Sequence, residues 1–232
     1  MGNFDIGQFV LYMVALVFSL SAHEAAHAWM SNRFGDDTAR LQGRITLNPA
    51  SHVDPIGTLL FPALAFFTGA PLLGWARPTP VNPSRWANRR VANIWVSAAG
   101  VIVNSIFAII TGIAIRILFH VGVVDLYLSN VGLVVEANSH SALAEGAIKL
   151  LTIFFTLNVV LAVFNLIPIP PLDGSKILGS LLPPSFESAF ESIERFGFML
   201  LFIAVFTGVF NVIFRIVMPI AAHLVTIGLT QS

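Results

Sequence analysis

The chain of 232 residues contains no cysteine. That excludes thiolate metal sites, disulfide frameworks and cysteine nucleophiles, so any metal ion must be held by His, Asp or Glu. Charge is the next scarcity: only 10% of residues are Asp, Glu, Lys or Arg, against roughly 25% in soluble domains. The signs balance, with 12 basic and 12 acidic residues, which leaves none of the basic surplus that a nucleic-acid partner requires. What is abundant is apolar: 56% of residues are hydrophobic and the mean hydropathy is +0.83. A disordered chain has the opposite composition. The solvent implied is a lipid bilayer.

Five apolar runs approach the length of about 20 residues that a spanning helix needs: 8–30, 56–73, 91–119, 147–167 and 196–225. The last is expected to break or kink at Pro219, because proline removes an amide donor and crowds the preceding turn. The first is not expected to be a cleaved leader, since it begins near Asp5 and has no Lys or Arg to form a positive n-region. No internal repeat or linker divides the chain, which reads as one domain over 1–232, with a core at about 8–176 and a C-terminal helix at about 196–225. The fold class expected is an α-helical, multi-pass integral membrane protein.

The arginines set an orientation. Arg33, Arg40 and Arg44 precede the second run, and Arg77, Arg85, Arg89 and Arg90 follow it, whereas 120–146 carries no Lys or Arg. Positive loops stay on the cytoplasmic side, so both flanks of the 56–73 run belong there and one full crossing does not satisfy both. The run, interrupted by Pro62 and Pro71, is therefore expected to be re-entrant or shallow, a conformation tolerated where protein covers it. The first helix then descends to the cytoplasmic side, and the fourth run ends on that same side. Between them, 38–47 (TARLQGRITL) alternates around Gln42-Gly43 and suggests a small surface hairpin.

His23-Glu24-Ala25-Ala26-His27 interrupts the first apolar run. Ionisable groups at membrane depth are costly unless paired or metal-bound. On a helix, histidines four apart share a face and can chelate one ion, and H-E-x-x-H is the zinc-protease form of that arrangement, with the glutamate as general base. Catalytic zinc takes three protein ligands. Candidates for the third are Asp173, His52, Asp54, His120, His140 and His223. Asp173 stands out because it follows Asn165-Leu-Ile-Pro168-Ile-Pro170-Pro171-Leu172, where three prolines stop the helix and leave an unwound strip that is stable in a bilayer only beside a cavity. His52 and Asp54 are candidates for supporting positions around the metal. Asn104 and Asn165 are mid-span amides suited to hydrogen-bonding a substrate carbonyl or oxyanion, or, for Asn104, another helix.

Together these residues resemble a known family. The intramembrane HEAAH, the mid-span Ala99-Gly100-x-x-x-Asn104 and the run Asn165-x-x-Pro168-x-x-x-x-Asp173-Gly174 are similar to the site-2 protease family of zinc intramembrane metalloproteases, in its short branch without PDZ or CBS domains. The stretch 43–58 (GRITLNPASHVDPIGT) also resembles such short members. The resemblance implies one Zn²⁺ per chain held by His23, His27 and Asp173, Glu24 as catalytic base and Asn165 near the substrate carbonyl. It also implies a three-helix core and a small membrane-associated β element after the first helix.

The function expected is hydrolysis of peptide bonds in or near a transmembrane helix of a membrane-protein substrate. The setting expected is a prokaryotic cell membrane, with the site nearer the cytoplasmic side and no nucleic acid involved. Two other classes use the same residues: a zinc or proton transporter, and a structural metal-binding membrane protein. A transporter needs a path of intramembrane carboxylates beyond the single cluster seen, and a structural site leaves Glu24 without a purpose.

Overall fold

The structure is a computed structural model that describes residues 5–68, 74–129, 132–139 and 141–228. Four of its helices are long and apolar enough to cross a membrane: α1 (Ile6–Arg33), α4 (Arg89–His120), α5 (Ala142–Leu166) and α9 (Val209–Thr226). Side-chain caps fix where two of them begin. The Asp5 carboxylate accepts the Gln8 amide at 3.1 Å, and the Asn88 side chain accepts the Val91 amide at 3.1 Å, each satisfying a donor that has no partner inside its helix.

The first, fourth and fifth helices pack on one another as a three-helix core, and α9 leans on α4 and α5. The contact of α4, α5 and α9 is made by Ala108, Ile115, Phe155, Val159, Ala222 and Val225. The opposite face of α4 leaves Ile109, Ile110, Ile113 and Ile117 more than half exposed. Such an apolar stripe is stable against lipid and unstable against water. The chain is a polytopic helical integral membrane protein.

Two short helices, α2 (Thr38–Leu41) and α3 (Phe61–Thr68), lie between α1 and α4. A π-helical turn, Pro55–Leu60, leads into α3. Turn and helix together extend roughly 21 Å at 1.5 Å per residue, well short of the ~30 Å hydrocarbon core. The second apolar run therefore does not form a spanning helix over its described part; residues 69–73 of that run lie outside the described residues.

Two sequence expectations are corrected. The stretch 38–47 is not a hairpin: the Asp36 carboxylate accepts from the Thr38 amide at 3.1 Å and from its hydroxyl at 2.5 Å, starting the turn of α2, and Gly43 closes it at φ +67°. A local side-chain hydrogen bond to the backbone outweighs a short alternation. The β element is instead an antiparallel pair, β1 (Val124–Ser129) and β2 (Gly132–Ala137), between α4 and α5, with Val124 opposite Ala137. The C-terminal run does break, but at Gly208, whose φ of +77° ends α8 (Gly197–Phe206) before α9 starts. Pro219 lies inside α9. A left-handed residue ends a right-handed helix, whereas one proline costs a membrane helix a single amide.

After α5 the chain runs irregularly through 167–172 and then forms α6 (Asp173–Leu181), which packs on α4 and α5, followed by the exposed α7 (Glu187–Glu194). This is the unwound strip that the prolines imply. Gly174 lies so close to the end of α5 that a Cβ there would be 2.2 Å from the Leu166 carbonyl oxygen, and that contact brings the first turn of α6 against the core helices.

Candidate metal centre

His23 and His27 are one turn apart on α1, both buried, with ring centroids 4.6 Å apart and planes near perpendicular. Asp173 opens α6 and is also buried. Its Oδ2 is 3.2 Å from Nε2 of His23 and 3.2 Å from Nε2 of His27. One ligand atom from each of the three lies within 4.8 Å of the others, and among the described residues this is the one such group. α4 supplies the back wall, approaching so closely at Gly100 that a Cβ would sit 2.4 Å from His23 Cε1.

The remaining atoms of each ring decide what the cluster can hold. His27 Nδ1 is 2.6 Å from the Val96 carbonyl, and His23 Nδ1 is 2.6 Å from Asn104 Oδ1. Both oxygens only accept, so each Nδ1 donates its proton and each Nε2 keeps a lone pair directed at Asp173. Two nitrogen lone pairs and a carboxylate oxygen facing one another call for a cation. Protonating both rings instead would crowd two imidazoliums around a carboxylate that Lys176 Nζ already meets at 3.3 Å through Oδ1. Zinc bond lengths of about 2.0–2.2 Å imply roughly 3.4 Å between tetrahedral ligand atoms, close to the 3.2 Å found. The residues fit a zinc ion.

Glu24 is half-buried beside this cluster and is held from above. The segment 74–82 passes over it without regular secondary structure: the Thr79 amide donates to Glu24 Oε2 at 2.8 Å, and the Thr79 hydroxyl donates to the Glu24 main-chain carbonyl at 2.8 Å. This strap is tied at both ends. The Arg77 amide donates to the His52 carbonyl at 2.7 Å, and the Asn82 amide donates to Asp36 Oδ2 at 2.7 Å.

The other candidates from the sequence go elsewhere. His52 Nε2 meets the Thr46 carbonyl at 2.9 Å, and the Asp54 carboxylate caps the Pro55–Leu60 turn through the Ile56 and Gly57 amides. Both build the loop that supports the strap. The Asn165 amide donates to the Leu161 carbonyl of its own helix at 3.0 Å. His120 ends α4 and His223 lies in the last turn of α9, while His140 lies outside the described residues. Sequence reasoning missed Asn158, Ser19, Lys176 and Thr79. The first two were detectable as polar residues inside apolar runs, and Lys176 as a cation one turn after Asp173; Thr79 acts through its backbone amide and gave no signal.

A multi-pass membrane protein with a buried His-His-Asp cluster and an adjacent glutamate has the make-up of a membrane-embedded metalloprotease. Residues 11–208 match peptidase family M50; the chain belongs to this family, that of the site-2 proteases, and is a metalloprotease. It is 37% identical over 191 residues to YwhC of Bacillus subtilis, covering 82% of this chain and 78% of that protein. It is also 27% identical over 198 residues to Rip2 of Mycolicibacterium smegmatis, covering 85% and 67%, and 29% identical over 197 residues to Rip2 of Mycobacterium tuberculosis, covering 85% and 67%. All three are named for a zinc metalloprotease. No solved structure matches the chain.

Proposed function

We propose that this metalloprotease is an intramembrane enzyme of the site-2 type, cutting peptide bonds in or near transmembrane segments of other membrane proteins. The observation that carries this reading is the convergence of His23, His27 and Asp173, all buried, on helices of a membrane bundle. We assign one zinc ion per chain to these three ligands. Bound there, zinc supplies a Lewis acid that polarises the scissile carbonyl and makes water a stronger nucleophile near neutral pH.

Glu24 is the base. The Thr79 amide occupies Oε2, so Oε1 is the atom left to take the proton of the attacking water, and the resulting acid returns it to the leaving amine nitrogen. Lys176 and the two Nδ1 acceptors keep the ligating atoms aimed inward. Asn165 is assigned to the substrate carbonyl, which it reaches by giving up its bond to Leu161. A helical substrate hides its peptide bonds behind internal hydrogen bonds and is unwound locally before it is cut. The bacterial relatives support a prokaryotic plasma-membrane setting, and the arginine distribution supports a site nearer the cytoplasmic face.

The test is Glu24→Gln, purified in detergent with a cleavable membrane-protein substrate. The variant is expected to bind one zinc per chain and to lose turnover by at least about a hundredfold, the low end of general-base contributions. Turnover equal to the unaltered protein refutes the assignment.

A further inference from the structure

His23 donates through Nδ1 only because Asn104 presents its oxygen there, and an amide side chain can be turned either way. The orientation has a cause two residues further on. Asn104 Nδ2 donates to Asn158 Oδ1 at 2.8 Å, and Asn158 Nδ2 donates to Ser19 Oγ at 2.9 Å and to the Phe154 main-chain carbonyl at 2.8 Å. Ser19, Asn104 and Asn158 are each 0% exposed, and they belong to α1, α4 and α5. The Phe154 carbonyl can only accept. It therefore fixes the nitrogen of Asn158 on its own side and the oxygen of Asn158 towards Asn104. That oxygen can only accept, which turns the nitrogen of Asn104 towards it and the oxygen of Asn104 towards His23.

We propose that Ser19, Asn158 and Asn104 are positioning residues: a one-way hydrogen-bond chain, with its polarity set by the Phe154 backbone carbonyl, that holds His23 as the Nδ1–H tautomer with Nε2 free for the metal. The proposal rests on the metal-centre reading above and assigns a new role within it. Asn158 acts on the site without touching a ligand, and Asn104 is committed to His23 through its oxygen at 2.6 Å and to Asn158 through its nitrogen at 2.8 Å, which takes its donor away from a substrate carbonyl. Low dielectric makes reversal costly, because turning any one amide leaves buried like-poled atoms facing each other.

The chain predicts which substitutions matter. Asn158→Leu keeps the branched shape of the side chain and removes its polarity control, and Asn104→Leu removes the acceptor for Nδ1. Both are expected to weaken zinc affinity about 10–100-fold, the usual effect of losing the partner that orients a ligating histidine. Asn104→Asp is expected to bind zinc more tightly than Asn104→Leu, because it keeps an oxygen that accepts from His23 Nδ1. The measurement is chelator competition for zinc on the full chain in detergent, with circular dichroism to establish folding.

A wild-type protein that binds zinc while Asn158→Leu and Asn104→Leu bind it equally well overturns the chain but leaves the metal centre standing. A wild-type protein that binds no zinc overturns both. Should the leucine variants fail to fold, nuclear magnetic resonance of the wild-type protein loaded with cadmium and labelled with isotopic nitrogen at histidine decides the matter. The metal is expected to couple to Nε2 of His23, with a slowly exchanging proton on Nδ1. Coupling to Nδ1 refutes the proposal.

Discussion

At the scale of single residues the site depends on how little room surrounds His23. The imidazole is bonded at Nδ1, faces Asp173 at Nε2, and has the backbone of α4 against its edge at Gly100. Alanine at Gly100 would push a methyl group to within 2.4 Å of a ring that has nowhere to move. Gly100→Ala is expected to lower zinc content well below one ion per chain while leaving the helical signal in circular dichroism unchanged. Full zinc loading would show that α4 or the ring yields. The histidines and Glu24 were legible in the sequence because a four-residue spacing translates directly into one helix face. Asp173 was legible because prolines announce where a helix must stop. Asn158 was visible as a polar residue in an apolar run but its role was not, since a mid-span amide is more often glue between helices, and only the register of three helices reveals that it faces Asn104.

Among the elements, the strap over Glu24 depends on a buried carboxylate outside the spanning helices. Burial opposes ionisation of Asp36, but hydrogen bonds from the Asn82 amide, the Thr38 hydroxyl and amide, and the Ser31 hydroxyl prevail and hold its pKa below the ordinary carboxylate value. Because the folded value is depressed, this contribution to stability is complete above the unfolded value of about 3.9 and is lost as the pH falls below it. Asp36→Asn is expected to cost about 2 kcal/mol near neutral pH, the scale of hydrogen bonds to a charged group. Below pH of about 4 the melting temperature of the unaltered protein is expected to fall towards that of the variant. Curves that stay parallel down to pH of about 3 would show that Asp36 does not titrate with the fold. The same residue explains a misreading of the sequence, since its bonds from the Thr38 amide and hydroxyl fix a turn at the start of an alternating stretch. The location of the strap was illegible because backbone amides hold it, and they are present in every sequence.

For the whole molecule, the open question is which loops share a side of the membrane. The arginines demand that both flanks of 56–73 lie together, and the short turn and helix Pro55–Thr68 agree with that demand. The lack of cysteine makes the arrangement directly measurable, since a single introduced thiol is the only one in the chain. Gln42 precedes the short element, Ser84 follows it, and Tyr127 lies on β1 beyond the far end of α4; all three are exposed. In intact bacterial cells, Tyr127→Cys is expected to react with a thiol reagent that cannot cross membranes. Gln42→Cys and Ser84→Cys are expected to react only after permeabilisation. A split between those two would mean that the 56–73 run crosses the membrane after all, and it would separate the Arg44 loop from the strap. Since the Arg77 amide of the strap donates to the His52 carbonyl and the Thr79 amide to Glu24, such a split would also break the contact that leaves Oε1 of Glu24 as the base. The topology and the proposed chemistry therefore stand or fall on one labelling pattern.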